Sequence, residues 1–213
     1  MAYMYTPSER LADGTMHILG IAGSIAATTL LIIYAAKTQS GLDVAAVSIY
    51  GGFAILTFVV SALYHMTPWS RIRPLLQRID HAAIYLKIAG TYTPLVVILG
   101  SVSAYILLGL IWSIAVMCAV GKLTERLKPG IVSTAVYASL GWASLLLIWP
   151  LMQAVPVAAL WLMLTGGVVY TVGAFINHWE SLRFNVAIWH GFVISGSGLF
   201  FAAIVLSLAG QAA

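Results

Sequence analysis

Charged residues are scarce in this chain, and their scarcity decides its class. Asp, Glu, Lys and Arg make up 8% of the 213 residues, whereas hydrophobic residues make up 62%. Soluble domains carry roughly 25% charged residues, and the mean hydropathy here is +1.00. This composition excludes a soluble globular enzyme. It predicts an all-α membrane protein that forms one domain over residues 1–213.

Other absences narrow the function. The single cysteine, Cys118, excludes an intramolecular disulfide. The N-terminal segment lacks a basic stretch followed by a short apolar core, so we expect a retained first helix and no cleaved signal peptide. The sequence holds no Gly-rich phosphate loop, no G-x-S-x-G motif and no basic aromatic patch. We therefore expect no nucleic-acid partner, and we expect membrane lipids as partners.

Apolar runs of about 20 residues predict membrane-spanning helices. Short breaks such as KTQSGLD, TPWSRIRP, GSVS and KLTERLKPG separate them. Loops this short place consecutive helices antiparallel, which predicts an up-down bundle of seven transmembrane helices. The predicted helices cover residues 16–36, 44–66, 76–99, 103–121, 131–149, 157–175 and 186–208.

Lysine and arginine fall almost entirely on one side of this bundle. Eight basic residues lie in the segments on the side of the N-terminus, and only Lys37 lies in those on the other side. Because positive loops stay in the cytosol, we predict a cytosolic N-terminus and an exported C-terminus. The expected location is the bacterial inner membrane, which the chain crosses several times.

Four ionisable or polar side chains are predicted at one depth. Ser61 and His65 end the second helix, Asp80 opens the third, and His190 lies one turn into the seventh. Such residues are expensive inside a bilayer and usually face the bundle interior. Imidazole and carboxylate groups from several helices are what a buried zinc ion needs. The coincidence favours a joint site at the cytosolic end over isolated polar groups.

The segments SALYH, RIDHAAIYLKIAGTYTP and FNVAIWHGFVISGS resemble the hemolysin III family. This is the bacterial branch of the PAQR family, which includes the progestin and adipoQ receptors. The resemblance implies a zinc ion near the cytosolic side, held by His65 and by two histidines of an H-x-x-x-H motif on the seventh helix. It places Asp80 at the metal, in some members through water, with Ser61 close by.

This chain departs from the family at the first of those two histidines. The second is His190, but the first position holds Val186, which offers no lone pair to a metal. Three outcomes are open: Asp80 binds zinc directly beside His65 and His190, another group such as Asn185 or His178 fills in, or the site is weak or free of metal. We favour the first.

Further polar residues are assigned to the cavity or to the surroundings of the metal. Lys87 lies two helical turns from Asp80, about 10 Å deeper, where the family usually has an apolar residue. We expect it to face a polar cavity and to pair with a carboxylate or a lipid headgroup. Tyr85, His81 and Asn185 are assigned to the same surroundings. His17, in the first helix, either lines the cavity mouth or lies at the membrane surface.

The resemblance implies a zinc-dependent intramembrane hydrolase of lipid amides or esters. In this interpretation Asp80 orients or deprotonates the attacking water and Ser61 hydrogen-bonds the water or the substrate. Two non-enzymatic alternatives stay open: a sensor or receptor for membrane homeostasis, and a pore-forming cytolysin. The sequence alone leaves the substrate, the metal occupancy and the oligomeric state undecided.

Overall fold

A computed structural model describes residues 6–179 and 181–211, and its regular structure is entirely helical. Seven crossings are long and apolar enough to span a membrane, which confirms the predicted seven-helix bundle. Six of them are single helices, and the fifth is divided into α5, a 3₁₀ turn over Ala143–Leu147 and α6. The helices are α1 Pro7–Thr38, α2 Gly41–Met66, α3 Arg73–Leu99, α4 Val102–Leu123, α5 Ile131–Trp142, α6 Ile148–Ala154, α7 Val157–Asn177 and α8 Asn185–Gln211.

Helix α1 begins well before the predicted start at residue 16. Thr6 caps it: its hydroxyl accepts the backbone N–H of Glu9, and the Glu9 carboxylate accepts the N–H of Thr6. This capping box satisfies two N–H groups that the first turn leaves without helical partners. Helix α1 therefore starts in the polar segment that precedes the apolar run. This places Asp13 on the same helix as His17.

The fifth crossing also runs further than the predicted end at residue 149. The chain tightens into the 3₁₀ turn and continues as α6 to Ala154. Pro150 lies in the first turn of α6. A proline costs little there, because the first N–H groups of a helix have no intrahelical acceptor.

Helix α3 lies at the centre of the bundle, since 67% of an apolar stretch of 18 of its residues is buried. It packs against α2, α4 and α8, while α1 packs against both α2 and α8. Tyr85 and Val96 of α3 are fully buried in the core, together with Ile204 and Leu208 of α8. This order gathers the starts of α1, α3 and α8 and the end of α2 at one end of the bundle.

Candidate metal centre

Asp13 of α1 is the centre of a buried polar cluster at that end. Its side chain is fully buried. The Nδ1 atom of His190 donates to Oδ1 of Asp13 at 2.5 Å. The other carboxylate oxygen, Oδ2, lies 3.6 Å from Nε2 of His17 and 3.8 Å from Nδ1 of His65. One carboxylate thus faces three imidazoles from three helices.

The three imidazole rings lie against one another. The ring centroid of His17 is 4.4 Å from that of His190 and 5.5 Å from that of His65, and the centroids of His65 and His190 are 4.7 Å apart. His17 is therefore part of the buried cluster. Its side chain does not lie at the membrane surface, which was one of its two predicted locations. Among the described residues, the third histidine of the site comes from α1.

Asp13, His17 and His65 have the spacing of metal ligands. Each offers one ligand atom, and these atoms all lie within 4.8 Å of one another. Within the described part of the chain, Oδ2 of Asp13 and Nε2 of His17 are buried atoms with no hydrogen-bond partner. Burying such groups without a hydrogen bond is costly, so their approach to 3.6 Å without one is the feature that a bound cation would explain.

His190 lies within the cluster, but both of its ring nitrogens are already engaged. Its Nδ1 atom donates to Asp13, and Nε2 lies 3.3 Å from the Ser61 hydroxyl. Since Nδ1 carries the donated proton, Nε2 of the neutral ring accepts from that hydroxyl. In this arrangement His190 orients the Asp13 carboxylate, and Ser61 in turn orients His190.

Asp80 lies beside the cluster and outside the group with metal-ligand spacing. It is buried near Ser61. It lines a polar cavity of about 260 Å³ together with His65. His81, which follows it in sequence, lines the same cavity, as do Lys122 and His178. The structure thus places Asp80 where it faces a polar space adjoining His65.

Comparisons with known proteins place this helical chain in a family. The profile of the haemolysin-III related family matches residues 6–201. The chain belongs to the haemolysin-III family. It is 35% identical to the hemolysin-3 homolog of Bacillus subtilis (strain 168) over 95% of both chains. It is also 36% identical to the hemolysin-3 of Bacillus cereus, over 92% of this chain and 90% of that one.

In this haemolysin-III family member, Val186 is half-buried one turn before His190. His178 and Asn185, the two residues considered as replacement metal ligands, have other contacts. His178 is exposed, where it bonds the Ala174 carbonyl at 2.8 Å and the Thr134 hydroxyl at 3.3 Å. The Asn185 amide donates to the Asn177 carbonyl at 3.5 Å. Neither contributes to the described cluster around Asp13.

Lys87 and Tyr85 bond to polar groups on other helices. Within the described residues no carboxylate lies at ion-pair distance from Lys87, so of the two predicted partners the lipid headgroup stays a prediction. Its Nζ atom donates to the hydroxyls of Tyr170 and Ser197, at 2.9 and 2.7 Å. The Tyr85 hydroxyl donates to the Ser133 carbonyl at 3.1 Å, which is a packing role between α3 and α5.

Sequence reasoning missed Asp13, although a usable signal was present. Glu9, Asp13 and His17 recur every fourth residue, which places them on one face of a helix. All three are buried in the structure. The predicted first helix begins at residue 16, so Asp13 falls before it and was not considered as a site residue. A search for polar residues spaced i, i+4 upstream of the apolar run would have found it.

Proposed function

We propose that this haemolysin-III family member is a zinc-dependent hydrolase that cleaves lipid amides or esters within the membrane. The observation that carries the proposal is the convergence of three atoms. Oδ2 of Asp13 and Nε2 of His17 are buried without a hydrogen bond and lie 3.6 Å apart, and Nδ1 of His65 lies 3.8 Å from the same carboxylate oxygen.

The donor set fits zinc in kind and in spacing. Zinc takes imidazole nitrogen and carboxylate oxygen, and in catalytic sites it has three protein ligands and one open position. Ligand atoms on a tetrahedral zinc lie roughly 3.3 Å apart. The separations from Oδ2 of Asp13, 3.6 Å to His17 and 3.8 Å to His65, are wider, and all three ligand atoms lie within 4.8 Å of one another. Asp13, His17 and His65 would hold the ion. Bound there, zinc would supply an activated water and polarise a substrate carbonyl.

The surrounding residues have roles that follow from their contacts. His190 holds the Asp13 carboxylate through its Nδ1–H, as partners of metal ligands commonly do. Asp80 borders the polar cavity next to His65, so its carboxylate is the base that takes a proton from water there. Ser61 fixes the His190 ring through Nε2.

A lipid substrate is supported by two unlike cavities that lie next to each other. The polar cavity at His65 shares Ile84, Tyr137 and Trp189 with a larger cavity of about 550 Å³. Most side chains around that larger cavity are apolar. A head group in the polar cavity and an acyl chain in the apolar one match a single-chain lipid amide or ester.

The test combines metal analysis with turnover. Purified wild-type protein is expected to hold one zinc per chain and to release fatty acid from a ceramide or an N-acyl amide. Asp80→Asn should abolish release while zinc content is retained, and His17→Ala should lower both. Protein that binds no zinc after supplementation would refute the metal centre. Zinc binding without release of acid from either lipid would leave a sensor, and leakage of dye from vesicles regardless of these variants would indicate a cytolysin.

A further inference from the structure

The larger cavity contains a buried cation whose only described polar partners are neutral. Lys87 is 8% exposed, and Nζ donates to Tyr170 and Ser197. The same atom lies 5.0 Å from the ring centroid of Phe58 and 5.2 Å from that of Tyr170. Hydroxyls and aromatic faces stabilise an ammonium group in part. Within the described residues no carboxylate completes the pairing.

Two donated hydrogen bonds leave one N–H of the ammonium group, since lysine has three. Lys87 is also one of the residues that border the apolar cavity. Buried charges inside a membrane protein are normally paired or mark a ligand site. The remaining N–H therefore favours an anion that enters from the cavity.

The walls of the cavity indicate what the rest of that ligand is. They are formed by α3, the α5–α6 crossing, α7 and α8, with Trp142, Leu160 and Met163 among the apolar residues. A volume of about 550 Å³ is within the range of sites for one small ligand. The ligand is thus one with a single anionic group and a long apolar part.

The cavity reaches the outer surface of the bundle between the fifth crossing and α7. Three of its lining side chains are strongly exposed: Trp161 at 64%, Met152 at 56% and Leu145 at 51%. In a membrane-spanning protein this surface lies against lipid chains. A molecule dissolved in the bilayer therefore has a lateral route to Lys87.

We propose that this cavity binds a single-chain carboxylic acid, with its carboxylate on the remaining N–H of Lys87 and its chain among the apolar walls. A carboxylate is favoured over a phosphate monoester because the site has one cation, and a doubly charged phosphate needs more than one. The site lies about 10 Å from Asp80 along α3, two helical turns deeper in the bundle. The proposal concerns binding alone and holds whether or not the chain hydrolyses lipids.

Quenching of tryptophan fluorescence tests this directly, because Trp142, Trp161 and Trp189 line the cavity. The probes are dibrominated stearic acid and the matching dibrominated stearyl alcohol, titrated into protein in zwitterionic nanodiscs. The alcohol partitions into the membrane as the acid does, but it carries no charge. We expect the acid to quench saturably, with a half-saturating concentration at least about tenfold lower than that of the alcohol. A difference of about tenfold in affinity is what one hydrogen bond between charged groups contributes.

Variants identify the anchor. Lys87→Met should remove the preference for the acid, Lys87→Arg should keep most of it, and Lys37→Met, at the opposite end of α1 from Asp13, should leave it unchanged. Equal quenching by acid and alcohol in the wild type would overturn the proposal without need of any variant. So would an undiminished preference in a folded Lys87→Met protein, with thermal melting as the check on folding. Tighter quenching by a brominated lysophosphatidic acid than by the fatty acid would reassign the site to phosphate.

Discussion

Oδ1 of Asp13 and Nδ1 of His190 lie 2.5 Å apart although the two residues are separated by 177 positions in the sequence. The contact joins the second turn of α1 to the second turn of α8. It also leaves Oδ2 of Asp13 directed at His17 and His65. One hydrogen bond thus fixes which carboxylate oxygen is presented to the two imidazoles.

Asp13→Asn should weaken zinc binding by at least about 10- to 100-fold, the loss typical when even an outer partner of a metal site is removed. The amide is the same size as the carboxylate, so the helix packing is expected to survive. The amide lacks the negative charge with which the Asp13 carboxylate would bind zinc. Competition with a chromogenic zinc chelator measures the change.

Asp43→Asn is the matched control for that measurement. Asp43 is the capping acid at the start of α2, at the other end of the bundle. Its replacement should leave zinc affinity as in the wild type. If both variants bind zinc as tightly as the wild type, Asp13 is no ligand and the cluster is a hydrogen-bond network only.

Much of the fold follows from the sequence because lipid imposes one strong condition. A spanning segment must be apolar over about 20 residues and must satisfy its own backbone, so seven apolar runs predict seven crossings. The depth of His65, Asp80 and His190 follows from the same segments, since a helix advances about 1.5 Å per residue. The structure brings these residues to one end of the bundle.

The role of α1 could not be predicted from hydropathy. Its first turns are polar, and their helical state depends on the capping box between Thr6 and Glu9. The placement of α1 between α2 and α8 depends on packing between distant segments. Lys87 is a similar case, because its partners Tyr170 and Ser197 come from α7 and α8. Nothing adjacent in the sequence indicates them.

A histidine at position 186 should be able to replace His17 as a zinc ligand. His17→Ala should lower zinc affinity because it removes one of the three spaced ligands. Val186→His in the same chain should restore much of that loss. Residue 186 lies one turn before His190, and residues four apart share a helix face. The same chelator competition reports both changes.

The control for this rescue is Ile188→His in the His17→Ala background. Residue 188 lies on α8 as well, but about 200° around the helix from residue 190. A histidine there should not restore zinc binding. Equal rescue by both variants would mean that the added imidazoles bind zinc elsewhere, and full zinc affinity in His17→Ala alone would remove His17 from the site.

Two neighbouring glycines of α2 should respond differently to replacement by alanine. A Cβ atom on Gly51 would lie 2.1 Å from Cγ2 of Thr28, whereas one on Gly52 meets nothing within 4 Å. Overpacking of this kind typically costs about 1–3 kcal/mol, so Gly51→Ala should lower the melting temperature. Gly52→Ala should leave it unchanged or raise it, because alanine favours helix by up to about 1 kcal/mol over glycine. Melting in detergent decides, and equal temperatures for the two variants would mean that α1 and α2 pack less closely at Gly51.

The charge asymmetry makes the orientation in the membrane testable. Eight Lys or Arg residues lie in the segments on the N-terminal side against Lys37 on the other, and positive segments remain cytosolic. Starting from Cys118→Ser, which removes the only cysteine, two reporters are added separately: Ser8→Cys and Val102→Cys, both at exposed positions. An impermeant maleimide should label Val102→Cys in intact spheroplasts and Ser8→Cys only after the membrane is permeabilised. The unmodified Cys118→Ser chain measures background labelling. The reverse pattern would place the Asp13 cluster at the exported face, and the proposed hydrolysis would then have to draw its water from outside the cell.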